Sequence, residues 1–264
     1  SLDAPTLVAE GDVLALSPEM DTFLALHVDR TADDRNRLRQ LARAIIGEGD
    51  FGLEYDDATH TAAETFRLRR GNCLSFSTML VAMARRVGLD AFFEEVDVPP
   101  DWSAKQDAFL LNRHVNVLVE LGTSGEQVVD FSSEDLRASY DVRLISDERA
   151  LAHFDNNLGV EKMRSGDTPA ALAYFGRALS HDRQFAPAWT NLGILYLRHG
   201  HPAHAEAAYL QALKADRFDH VAMSNLANLY ERRGDLERAE AYRRRVIAHR
   251  NHNPYYRYQL AREA

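Results

Sequence analysis

The chain has 264 residues, 45% of them hydrophobic and 27% charged. That composition buries a core rather than staying disordered, and at about 100 to 200 residues per domain it predicts two ordinary domains. The net charge of −9 is unevenly placed: residues 1–151 hold 15 Lys and Arg against 28 Asp and Glu, a balance of −13, and residues 152–264 hold 16 against 12, a balance of +4. An acidic front and a diffusely basic rear give no footprint for a nucleic acid, and no apolar run nears the roughly 20 residues of a transmembrane segment. Cys73 is the lone cysteine, which excludes an intramolecular disulfide and a zinc site with more than one thiolate; no metal or cofactor is expected. The chain begins at Ser1 without a signal-peptide pattern, as a mature or trimmed form does.

In chain order, residues 1–70 read as mostly helical. Ser17, Pro18 and Glu19 form a helix start with Pro at the first helical position, and a second helix fits residues 33–46. Gly47, Gly49 and Gly52 break the chain, and residues 61–68 make a short third helix. Asn72 then caps a helix on which Leu74, Phe76, Met79, Leu80, Met83 and Val87 are apolar, with Gly88 ending it. Cys73 falls in its first turn, where free amides and the helix dipole favour an anion and lower a thiol pKa, with Arg69 and Arg70 adding positive charge. The other reading of a lone cysteine, a small buried apolar residue, is the commoner one.

Residues 91–98 read as a strand, followed by an irregular Pro99–Trp102 loop. From His114 to Leu121 apolar residues alternate, with Val115, Val117, Val119 and Leu121 on one face and His114 on the other. A turn at 122–125 leads into a second strand at 127–131, so the two form a hairpin. A three-residue loop, 122–124, pairs Leu121 with Gly125 and places Asp130 opposite Asn116. Asp130 is then diagonal to His114, roughly 7 to 8 Å away at the backbone and within side-chain reach.

The rear half repeats. Trp189, Leu192, Gly193 and Tyr196, followed by Ala205, Tyr209 and Ala212, recur 34 residues earlier as Leu158, Gly159, Ala171, Phe175 and Ala178. They recur 34 later as Met223, Leu226, Ala227, Tyr230 and Ala239. Gly166, Gly200 and Gly234 share the period and sit in the turn inside each hairpin. The pattern resembles the tetratricopeptide repeat, a helical hairpin of about 34 residues. This phases repeats at 152–185, 186–219 and 220–253 with a capping helix from 254, and the third copy is degenerate, with Arg243 where an aromatic is usual. Motif residues are scaffold. Asn157, Asn191 and Asn225 recur on the face that would be concave, and by that resemblance they would hold the backbone of a protein or peptide partner; Asn is also simply common at that position. The paired lysines that clamp C-terminal carboxylates are missing. His199, His201 and His204 cluster at a turn without an acidic or thiolate ligand and read as a solvated loop, and Arg243–Arg245 as a solvated helix face.

Gly71-x-Cys73 opening a buried helix, His114 opening a Val-rich strand and Asp130 in the next strand, in that order, are similar to the transglutaminase-like branch of the papain-like fold over about residues 55–135. The resemblance implies an α+β papain-like, transglutaminase-like domain at 1–151, with a helical N-terminal part, followed by an all-α tetratricopeptide array at 152–264. It also implies Cys73 as nucleophile, His114 as its proton partner and Asp130 as the group orienting the imidazole. Such a site acts on a carboxamide or peptide bond through a thioester acyl-enzyme, as a peptidase, amidase or transamidase. Asn72, Asn116 and Trp102 are oxyanion or pocket candidates, with Asn112 another pocket residue. The aromatic usual after the family's histidine is replaced by Val115-Asn116. Bacterial members couple this core to tetratricopeptide repeats, which favours the cell envelope (periplasm) over the cytoplasm. The rival function is a catalytically silent scaffold whose repeats mediate protein–protein interaction.

Overall fold

The computed structural model describes residues 5–46, 51–96, 114–131 and 141–252; Trp102, Asn112 and the capping helix expected from residue 254 lie outside the described residues. Packing divides the chain into a front unit, reaching Phe154, and a helical array from Asp155. No helix among the described residues is long and apolar enough to cross a membrane.

The front unit opens with α1 (Pro18–His27), capped by Ser17, and α2 (Asp34–Ile46), which buries Leu38, Leu41 and Ile45 at helical spacing. Next come β1 (Glu54–Tyr55) and α3 (Ala62–Leu68), whose start is a capping box in which Thr61 accepts from Glu64 N while the Glu64 carboxylate accepts from Thr61 N. α3 ends at Arg69 with φ +56°, and β2 (Arg70–Gly71) runs directly into α4 (Cys73–Arg86). Every residue of α4 from Leu74 to Ala84 is buried, so this helix is the core of the unit and its start is held firmly.

The strands β3 (Asp90–Val96), β4 (His114–Glu120), β5 (Glu126–Val129) and β6 (Val142–Ile145) form one antiparallel sheet in the order β5-β4-β3-β6. The β4–β5 hairpin turns through Gly122–Ser124, with Leu121 N donating to Gly125 O and Val117 opposite Val129. This is the register expected from the three-residue loop. Two features were not expected. Residues 54–55 and 70–71 pair as a short parallel ladder within a region read as helical, and two residues are too few for any periodicity to register. β6 is an edge strand with Val142 and Leu144 exposed, so it lacks the one-sided alternation that reveals a half-buried strand.

The array consists of α5 (Asp147–Ser165) and α6 (Thr168–His181), α7 (Ala186–Arg198) and α8 (Pro202–Ala215), and α9 (His220–Arg232) and α10 (Leu236–His252). Its first helix begins upstream of residue 152. Gly166, Gly200 and Gly234, at φ +85°, +76° and +78°, occupy the three intra-hairpin turns. Gly159 and Gly193 serve packing instead: a Cβ at Gly159 would stand 2.6 Å from the Phe175 ring, and one at Gly193 would meet Tyr209 closer still. In the third repeat Ala227 takes the place of this glycine and Arg243 the place of the ring.

Candidate active site

The site begins with a cap. Asn72 Oδ1 accepts from Ser75 N at 2.9 Å and from Ser75 Oγ at 3.0 Å, while its Nδ2 donates to Thr59 Oγ1 at 2.9 Å and to Asp57 O at 3.5 Å. Ser75 Oγ in turn accepts from His60 N at 2.9 Å. Both amide hydrogens of Asn72 are therefore committed to the 57–59 segment. Asn72 builds the helix start rather than serving as the oxyanion donor it was expected to offer. Because Asn72 takes the Ser75 amide, the N–H groups of Cys73 and Leu74 are left at the first turn without an intrahelical acceptor. Cys73 itself is a free thiol of intermediate exposure.

The second part is the hairpin. His114 Nε2 and Asp130 Oδ1 are 2.7 Å apart, with side chains 11% and 20% exposed. Cys73 acts electrostatically on the imidazole, and with Nε2 facing Asp130 the ring nitrogen left for a thiol is Nδ1. Burial alone would push the imidazole pKa down, but the hydrogen bond to Asp130 and the charges of Cys73 and Asp130 raise it from 6.5 to about 10. Asn116 is buried beside them; its amide nitrogen, oriented by the hydrogen-bond network, donates to Asp130 at 3.2 and 3.3 Å and lies 2.7 Å from His114 Nε2. Asn116 thus fixes the carboxylate that faces the imidazole.

One bond sets helix against strand. Ser77 Oγ, one turn beyond Cys73, donates to Val115 O at 2.7 Å, next to His114, and is fully buried. It locks the register of α4 on β4 and hence Cys73 on His114. Sequence reasoning missed Ser77, and also Tyr55 and Glu94. Tyr55 is the parallel partner of Gly71, and partial burial together with negative charge at Cys73, Asp57 and Asp56 raises its phenol pKa. Glu94 lies opposite Asn116 in the β3–β4 ladder and is 2% exposed; the hairpin parity predicts its face but nothing in the sequence predicts its burial. Of the arginines expected to assist the thiol, Arg70 pairs with Asp56 at 3.4 Å and the Arg69 guanidinium lies over the Phe51 ring, 5.3 Å from its centroid.

Residues 24–117 match the family model of the transglutaminase-like superfamily, and residues 162–226 and 222–254 match two tetratricopeptide repeat models. The chain is a transglutaminase-like core fused to tetratricopeptide repeats. No curated protein matches it. Similar solved structures include two of MamA, each 22% identical over 40% of this chain, with TM-scores of 0.37 and 0.36 and with 61% and 57% of the MamA chains covered. Another is the second tetratricopeptide domain of Spaghetti (RPAP3) bound to the HSP90 peptide SRMEEVD, 20% identical over 37% of this chain and 91% of that one, with a TM-score of 0.35. The chain thus spans less than two thirds of the MamA chains.

The transglutaminase-like match takes in Cys73 and His114 and stops short of Asp130. In the tetratricopeptide array, the repeated asparagines have internal partners: Asn191 Nδ2 donates to Asn156 Oδ1 at 2.9 Å and Asn225 Nδ2 donates to Val221 O at 3.0 Å. Each keeps its side-chain oxygen. His199 Nε2 lies 2.9 Å from Thr168 Oγ1, His201 and His204 pack around Tyr196, and no metal-competent cluster occurs among the described residues.

Proposed function

We propose that the front unit is a cysteine acyl-transfer enzyme that opens a carboxamide or peptide bond, with the array recruiting its protein or peptide substrate. The observation that carries this reading is an imidazole bonded to Asp130 at 2.7 Å whose pKa is also raised by Cys73 at the start of α4. In this reading Cys73 passes its proton to His114, and its Sγ attacks the carbonyl carbon, forming a C–S bond as the C=O double bond opens. The carbonyl oxygen takes the negative charge and accepts hydrogen bonds from the first-turn N–H groups of Cys73 and Leu74. His114 gives its proton to the departing nitrogen as the C–N bond breaks, leaving a thioester and a free amine. Water or a second amine, deprotonated by the now neutral His114, then resolves the thioester and regenerates the thiol. Asp130, held by Asn116, keeps Nε2 occupied so that Nδ1 is presented to sulfur.

The division into 1–151 for chemistry and 152–264 for recruitment is part of the proposal. On the array, the side-chain oxygens of Asn191 and Asn225 remain to accept from a peptide backbone. The test is mass spectrometry of native protein after brief exposure to p-nitrophenyl acetate. Acetylation confined to Cys73, abolished by His114→Ala, supports the enzyme. A native Cys73 that takes no acetyl group, yet is alkylated once the protein is denatured, returns the core to a silent scaffold.

A further inference from the structure

The front unit holds an open cavity of about 1060 Å³ walled by α1, α2, α3 and Phe51, and none of Cys73, His114 and Asp130 lines it. Its floor is aromatic. The rings of Phe23, Phe51 and Phe66 lie with centroids 5.0 to 5.5 Å apart, tilted or edge-on to one another. Three such rings meeting at an open face present an apolar bed that water covers poorly. The rim is cationic, with Arg43, Arg67 and Arg69 all lining the cavity. Neither Arg43 nor Arg67 makes an ion pair among the described residues. Two carboxylates also reach the rim, and both are engaged. Glu64 accepts from Thr61 N and Oγ1 in the capping box, and a hydrogen bond with the Ser17 side chain holds Glu19 below its ordinary pKa. Three arginines against two carboxylates leave the lining a balance of +1, in a region whose overall balance is strongly negative.

Arg69 adds a second reason. It is the one described non-glycine residue with positive φ, at +56°. Glycine is the residue that ends a helix this way without steric cost, and a bulky side chain there is disfavoured. The strained position projects a guanidinium over the Phe51 ring, on the rim of the cavity. Strain of this kind is retained where the side chain has work to do.

We propose that this cavity binds a small amphipathic anion, an acyl or aromatic body on the three phenylalanines with a carboxylate-type head among the three arginines. Its volume lies just above the roughly 300 to 1,000 Å³ typical of ligand pockets, and guanidinium groups are suited to paired hydrogen bonds with a carboxylate or phosphate. The site is independent of acyl transfer at Cys73.

The experiment is isothermal titration calorimetry of the full chain with decanoate, decylammonium and 1-decanol, each well below its aggregation limit. Decanoate is expected to bind saturably, one per chain, at least tenfold more tightly than 1-decanol and decylammonium, although the acidic unit favours the cation electrostatically. Arg69→Gly should weaken decanoate by about tenfold while leaving Tm unchanged or higher, because glycine relieves the left-handed backbone. Arg67→Gln, on an exposed side chain, should weaken it without a folding cost, and Cys73→Ala should bind as the wild type does, which separates this site from the proposed chemistry. Equal affinity for decylammonium, wild-type binding by both arginine variants, or no saturable decanoate binding overturns the proposal.

Discussion

The two parts of the molecule use buried polar groups in opposite ways. In the repeat array they close on each other as ties: Arg177 grips Asp155 with two bonds of 2.6 and 2.7 Å, Thr190 donates to Asp219, Tyr230 donates to Glu206, and Asn191 donates to Asn156. Each joins neighbouring helices, and a repeat needs such ties because it cannot bury its apolar face alone. In the front unit the polar groups cluster at a helix start, a strand and the residue after a second strand, beside the turn that carries Cys73. There Asn72 caps α4, Ser77 ties it to β4, Asn116 steadies the carboxylate, and His114 pairs with Asp130.

That contrast breaks most visibly at the carboxylate. Asp130→Ala should cut turnover of an activated ester by about 10² to 10⁴-fold, since the imidazole loses the group that fixes its orientation and charge. Circular dichroism should stay native, because Asp130 is the residue after β5 rather than part of the ladder. Asp155→Ala in the array, removing a comparable carboxylate, should leave turnover alone and lower the array's stability, as followed by urea unfolding.

The next effect is steric. Gly193→Val places a Cβ against the Tyr209 ring and should destabilise the array by about 3 kcal/mol, while native alkylation of Cys73 persists. Loss of alkylation in this variant would mean that the two parts do not act separately.

Smaller still, Ser77→Ala removes the bond to Val115 O and should cost about 1 kcal/mol of stability. It should also slow acetylation of Cys73 several-fold, because the helix is freed to slide on β4. Asn191→Ala removes a bond of similar worth, about 1 kcal/mol, with no change in acetylation. A Ser77 variant that loses only stability would reduce that bond to another tie.

How much of this could be read beforehand follows the same divide. The array is periodic and local: 34-residue spacing, turn glycines and paired small and aromatic residues all lie within neighbouring hairpins, so its layout was legible almost entirely. Its asparagine contacts were not, because Asn191 finds Asn156 on the preceding repeat and Asn225 its own helix backbone. In the front unit, the cap at Asn72 and the hairpin register were legible from turn chemistry and parity, and the register alone brought Asp130 toward His114. Tyr55 and Ser77 were not, since each acts through a pairing between segments whose proximity no local rule supplies. Asn72 shows the converse, a residue with a suitable amide in a suitable place whose hydrogens are already taken.

The proton on His114 also couples the site to folding. Its folded pKa, about 10, lies above the ordinary 6.5, so the stability it contributes is fully present below about pH 6.5 and is lost as pH rises toward 10. Wild-type Tm minus that of His114→Gln should therefore shrink over that window.

The central claim is that Cys73, His114 and Asp130 form one unit around a shared imidazole, and an NMR titration of the His114 ring tests it most directly. The account predicts that the ring stays protonated through neutral pH, with its midpoint well above 6.5 and toward 10, and that Cys73→Ala and Asp130→Asn each move the midpoint down. A wild-type midpoint near 6.5, unmoved by either substitution, would contradict it.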